Sequence, residues 1–213
     1  MFLEDKQLEH VIALLDGKKE PEPILVDLQN WSKLHMGIEI YDYFCEHVNG
    51  LIRLKLVVWD LETEMKLKDG INFDKVKQAM YANAFSRFAK KYNVHRDFHE
   101  PEVIFVVTDT LKEQLRSRAV RDVKVDIEEV KNMHKDIHNI FNDYGSYIVV
   151  YKTESQVVMH KADGLNILIS KKLNSIVASV DKYNMYSEGV SLRFISQELL
   201  DKKYGGSIIN YLH

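Results

Sequence analysis

The chain reads as a mixed α/β protein, α/β or α+β, with a mixed sheet built around an Asn-Gly hairpin, and three observations predict this. Helical apolar stripes alternate with short apolar runs along the whole length. Asn49-Gly50 separates two runs of strand-forming residues, "GIEIYDYFCEHV" and "LIRLKLVVWD", as in a two-residue type I′ turn. After Pro101, "EVIFVVTD" is a nearly all-apolar run of strand length that leads into a helix start.

The elements follow in order. Leu3, Leu8, Val11, Ile12 and Leu15 form a helical stripe, closed by Gly17 where a C′ glycine belongs. "KKEPEP" breaks the chain, and Ile24 to His35 reads as a second, short helix. The hairpin covers about 37–60. Its two-residue loop fixes the register, setting Glu46 opposite Arg53 on one face. Cys45–Leu54, Tyr43–Leu56 and Tyr41–Val58 then pair on the other, an apolar face.

In "INFDKVKQAMYANAFSRFAKKYNV", Val76, Met80, Ala84, Phe88 and Tyr92 recur at helical spacing behind Asn72 as N-cap. "EVIFVVTD" predicts a central strand covered on both faces, and Thr110 with Glu113 has capping-box spacing for the next helix. "DIEEVKNMHKDIHNIFNDYG" reads as one helix with Ile127, Val130, Ile137 and Phe141 inward and Gly145 closing it. "SYIVVYKTESQVVMHKADG" reads as two strands around Thr153–Ser155, residues 165–184 as a helix and "GVSLRFIS" as a last strand. "QELLDKKYGGSIINYLH" is a helix interrupted at Gly205-Gly206. There is no internal sequence repeat. A single domain over 1–213 is expected, with a subdivision near 121–125 (1–122 and 123–213) as the alternative.

Composition narrows the function classes. With 46% hydrophobic and 29% charged residues, the 213-residue chain has the make-up of a folded protein with a sizeable core. Lys+Arg 29 against Asp+Glu 32 gives no global basic field for nucleic acid or anionic lipid. No apolar run approaches the roughly 20 residues that span a bilayer, and the charged N-terminus is no signal peptide. The lone Cys45 excludes an intrachain disulfide, fits a reducing, cytoplasmic setting, and falls on the hairpin's apolar parity as a packing residue. No GxGxxG, GxxxxGK[ST], GxSxG or paired CxxC is present.

One cluster suggests chemistry. In the hairpin register Glu39 lies opposite Asp60, and Glu62 and Glu64 continue that parity if the strand runs on. Like charges in opposition destabilise a sheet, and a divalent cation relieves the conflict. Glu39, Asp60 and Glu62 are therefore candidate ligands for Mg²⁺ or Mn²⁺, with Lys66 as the catalytic assistant in phosphodiester cleavage. The plainer reading is a solvated strand end. His134 and His138, spaced i,i+4 on the expected helix, form a second candidate pair, and His95 and His99 a third. Asp109 stands beyond a strand's carboxyl end, where it suits a helix N-cap. The C-terminal Gly205 reversal has a loose helix-turn-helix outline.

Two short stretches resemble nuclease motifs. Glu64-x-Lys66, within the order helix, hairpin, helix, strand, resembles the PD-(D/E)xK nucleases, which implies Asp42 as an upstream acid, although Asp42 lies on the hairpin face opposite Asp60. "VVWDLET" is similar to the first motif of DnaQ-like exonucleases, and "HNIFND" loosely to the second. Neither covers enough of the chain to define a family. The leading expectation is a regulatory or interaction protein whose partner is another protein or a second copy. The alternatives are a Mg²⁺- or Mn²⁺-dependent nuclease or phosphoesterase and a DNA-binding regulator.

Overall fold

The computed structural model describes residues 3–48, 51–95, 105–121, 124–143 and 146–213. It bears out the mixed α/β class. The chain falls into two compact units, Met1–Gln114 and Leu115–His213.

The first unit begins with α1 (Asp5–Leu15) and α2 (Pro23–Met36). Proline at the start of α2 costs nothing there, because the first helical N–H groups lack partners in any case. The hairpin follows as β1 (Asp42–Val48) and β2 (Leu51–Val58), in the predicted register: Glu46 faces Arg53, Cys45 faces Leu54 and Tyr43 faces Leu56. The turn residues Asn49 and Gly50 lie outside the described residues. Next come α3 (Leu61–Met65), β3 (Lys68–Asp69), β4 (Asn72–Phe73), α4 (Lys75–Tyr92), β5 (Phe105–Thr110) and the start of α5 (Leu111–Arg121).

Three expectations for this unit need correction. The strand does not run on past Val58. Asp60 caps α3 by accepting from the Thr63 N–H at 3.0 Å and its hydroxyl at 2.8 Å, so Glu62 and Glu64 leave the strand parity. Asn72 is not the N-cap of α4; Asp74 is, accepting from the N–H groups of Val76 and Lys77. The buried face of α4 is Tyr81, Ala84, Phe85, Phe88 and Ala89, leaving Val76 and Met80 exposed. Finally, the sheet order is β1-β2-β5, with β2 antiparallel to β1 and parallel to β5. Among the described residues β2, not β5, is the central strand. One face of this sheet carries Tyr43, Leu54, Leu56 and Val58 into a core with Ile24, Leu28, Tyr81 and Phe85. The other face carries Asp42, Glu46, Arg53, Lys55 and Asp109, and α1 meets it through Gln7 and His10.

The second unit contains the rest of α5, then α6 (Lys124–Lys131), β6 (Ile137–Asp143), β7 (Ser146–Tyr151), α7 (Glu154–Ala162), α8 (Leu165–Val180), β8 (Ser191–Ser196), α9 (Gln197–Tyr204) and α10 (Ile208–Leu212). Its sheet, β6-β7-β8, has the topology of the first: an antiparallel hairpin whose second strand pairs in parallel with a later one. The single helix expected over "DIEEVKNMHKDIHNIFNDYG" stops at Lys131, because Ile137–Asp143 pairs with β7 instead. The closing residue Gly145 lies outside the described residues. The second strand expected after Thr153 is α7. Thr153 accepts from the Gln156 N–H while the Gln156 side chain accepts from the Thr153 N–H, a capping box that commits the chain to helix. β7 is the strand buried on both faces. Tyr147, Val149 and Tyr151 pack with Ile169, Leu173 and Val177 of α8, whereas Ile148 and Val150 pack with Ile195 and Leu200. No helix among the described residues is long and apolar enough to cross a membrane.

Candidate metal centre

The short link between α6 and β6 carries His134 and Asp136, and α7 carries His160 near its last turn. Because α7 follows β7 directly and β7 pairs with β6, the fold brings these segments together. His160 sits between two carboxylates. Its Nε2 lies 3.0 Å from Asp136 Oδ2 and its Nδ1 2.8 Å from Asp163 Oδ2. His134 Nδ1 is 3.7 Å from the same Asp136 oxygen and accepts from the Asp136 N–H at 3.2 Å, which orients the ring. One ligand atom each from His134, Asp136 and His160 lies within 4.8 Å of the others, the only such group of three among the described residues.

The surroundings hold the group in place. The His134 and His160 rings meet edge to face at 4.8 Å, and the Tyr151 ring lies 4.9 Å from His160. The Tyr151 hydroxyl donates to Asn166 Oδ1 at 2.6 Å, tying that ring to α8. Side-chain exposure falls from 34% at His134 through 12% at Asp136 to 2% at His160, so the group has a rim and a floor. Burial alone would push the His160 imidazole down, but its hydrogen bonds to the Asp163 and Asp136 carboxylates outweigh it and raise the ring above its ordinary value. Asp163 is held low by the Leu165 N–H and then by His160.

This arrangement could hold a metal ion. An ion about 2.0–2.2 Å from tetrahedral N and O ligands sets them about 3.4 Å apart. The separations at Asp136 are 3.0 Å to His160 and 3.7 Å to His134, near that value. An ion would replace the His160–Asp136 hydrogen bond and the Asp136 N–H bond to His134 Nδ1, with loss of a proton from His160. A carboxylate on the far nitrogen of a ligating histidine fixes its ring and raises its basicity, and Asp163 stands there for His160. Three protein donors would leave a fourth position for water or a substrate.

The residues proposed from sequence stand elsewhere. Glu39 is exposed and accepts from the Tyr41 hydroxyl at 3.3 Å. Glu39 and Asp60 both act on that hydroxyl, which burial first and these charges next push up to about 12. Asp60 is occupied as a helix cap. Glu62 is 84% exposed on α3, with Lys66 3.9 Å away. The structure thus brings Glu39 and Asp60 to one tyrosine, and gives Glu62 and Lys66 a solvent-side pairing of their own.

His138 lies exposed on β6, so no helical face unites it with His134. His95 is 3.1 Å from the Tyr43 hydroxyl, and His99 lies outside the described residues. Asp109 is not a helix cap; it is buried within β5 with Lys55 Nζ at 3.3 Å. α10 spans only five residues, too short for a recognition helix. Sequence reasoning missed Asp136 and His160. The available signal was the pair of short motifs His134-x-Asp136 and His160-x-x-Asp163.

In comparison with known proteins, the chain matches no family model, no curated protein and no solved structure. The class defined by fold and site is a two-unit α/β protein with a candidate metal centre.

Proposed function

We propose that this is a metal-responsive regulatory protein, with a divalent transition ion of the zinc class bound in its second unit by His134, Asp136 and His160. One observation carries the reading: two imidazoles and a carboxylate from two segments, the α6–β6 link and α7, converge, with Asp163 already on the outer nitrogen of His160. The donor set of two nitrogens and one oxygen suits zinc-class ions better than the Mg²⁺ or Mn²⁺ expected for an all-carboxylate site. An ion there ties the α6–β6 link to α7, so occupancy controls the rigidity of that surface and its readiness for a partner.

Thermal unfolding after EDTA treatment, then with Zn²⁺ or Co²⁺, tests this. A native-state ligand at about 100 times its Kd adds about 2.7 kcal/mol, so a rise of several degrees is expected. Co²⁺ should add the visible absorption of a tetrahedral site, lost in His160→Gln and weakened in the rim variant His134→Gln. Equal midpoints with EDTA and with metal, and no Co²⁺ spectrum, would end the proposal.

The fourth position favours a second reading, a hydrolase that activates metal-bound water. Zn²⁺-dependent cleavage of bis(p-nitrophenyl) phosphate, lost in Asp136→Asn, would select it over regulation.

A further inference from the structure

The first unit has a cavity of about 360 Å³ between α1, the 18–22 loop and β1. That volume lies in the range of small-molecule sites. At its wall stands Asp42, whose side chain is 4% exposed. Asp42 Oδ1 accepts from the Tyr43 N–H at 2.8 Å, whereas Oδ2 is buried without a hydrogen-bond partner. His10 Nε2 lies 3.5 Å from Oδ2. Burial and the Lys19 ammonium hold the His10 imidazole below its ordinary range, so it supplies little charge at neutral pH. A buried acceptor left unsatisfied is costly and is normally met by a protein, water or ligand donor.

The rest of the lining indicates the class of donor. Glu20 and Glu22 add two carboxylates at the rim against the single ammonium of Lys19, so the cavity is net acidic. Tyr43 and Phe44 are also among the lining residues, and aromatic residues suit a cation. The Lys19 ammonium is directed to His10, at 3.1 Å from Nδ1. We propose that this cavity binds a small organic cation, a primary amine or a guanidine, whose N–H donates to Asp42 Oδ2. A guanidinium or ammonium satisfies the open oxygen and balances the surplus carboxylates, and the aromatic lining residues suit its short apolar tail.

Calorimetric titration of the full chain at about pH 8.5, above the value of about 7 to which burial raises Asp42, with n-butylamine, methylguanidine, n-butanol and butyrate tests the proposal. Saturable binding of at least one of the two cations is expected, with butanol and butyrate at least tenfold weaker. Asp42→Asn should weaken cation binding tenfold or more with the circular dichroism spectrum unchanged. Should that variant fail to fold, the exposed Glu22→Gln decides, with a smaller loss of about two- to threefold expected. No cation binding at millimolar concentration, equal binding of butanol, or affinity unchanged in the folded Asp42→Asn protein (or in Glu22→Gln if it decides) would overturn the assignment.

Discussion

Lys55 and Asp109 meet at 3.3 Å across the parallel strands β2 and β5, with side-chain exposures of 4% and 0%. Lys55 also reaches Glu46 at 2.9 Å, and Glu46 pairs with Arg53. One buried ammonium therefore serves two carboxylates, and they share it unequally. Burial would raise Glu46, yet Lys55, Gln7 and Arg53 together bring it down to about 2. Asp109 remains raised, because its burial outweighs the help from Lys55.

Removing the shared cation should be costly. Lys55→Met leaves Asp109 in the interior without its cation, and breaking a buried pair in this way costs about 3–5 kcal/mol. Replacing both partners, Lys55→Met with Asp109→Leu, should recover most of the loss, because an apolar pair of similar volume has no desolvation debt. Urea unfolding of the two variants checks this. A double variant as unstable as the single one would contradict the account.

Stability should depend on pH with opposite signs at two residues. Asp42 is pushed up to about 7, chiefly by burial. The native state keeps the Asp42 proton between about pH 4 and 7 while the unfolded chain has lost it. Its contribution therefore falls by up to about 1.4 kcal/mol per pH unit across that window as the pH rises. Glu46, held to about 2, does the reverse. Its contribution is present above the unfolded value near 4.5 and is lost as the pH falls toward 2. Asp42→Asn should flatten the decline between pH 4 and 7 in urea unfolding, and leave the acid limb in place. A decline equally steep in the variant would show that other groups set it.

The cap of α7 should be coupled to the metal centre. Thr153 and Gln156 close the capping box of the nine-residue helix that carries His160. Thr153→Ala removes the side-chain acceptor for the Gln156 N–H and should cost about 1 kcal/mol. Because the helix positions a floor ligand, the same substitution should weaken Zn²⁺ binding, measured by competition with a chromophoric chelator. Lower stability with unchanged affinity would mean that α7 is held against β6 without its cap.

These relationships were unequally legible in the sequence. The hairpin register followed from Asn49-Gly50 and the alternation of Tyr43, Cys45, Leu54 and Leu56, because one turn length admits one pairing. β6 was misread because Ile137, Ile140 and Phe141 are spaced i, i+3, i+4, and only the partner strand β7 decides between helix and strand. α7 was misread for the opposite reason. Adjacent Val157 and Val158 imitate a strand, and the Thr153–Gln156 box was the stronger signal. The acidic run after Trp59 was assigned by parity, but Asp60 uses its carboxylate to start a helix. Asp136 and His160 are 24 residues apart, so their meeting is a product of topology, beyond the reach of local spacing.

Gly189 should resist substitution. It has φ +86°, a left-handed conformation that an L side chain adopts only at a cost of about 1–3 kcal/mol. A Cβ there would also stand 2.8 Å from Asn174 Oδ1. That oxygen is not free to move away, since it accepts from the Val190 N–H at 2.7 Å just before β8. Gly189→Ala must therefore strain the backbone and displace the Asn174 carboxamide, leaving a half-buried N–H without its acceptor. A loss of about 2–4 kcal/mol is expected in urea unfolding. Asn174→Ala removes the obstructing carboxamide, so adding Gly189→Ala on that background should cost less than it does in the natural sequence. If the cost is the same on both backgrounds, the left-handed backbone alone requires the glycine, and the close approach to Asn174 contributes nothing.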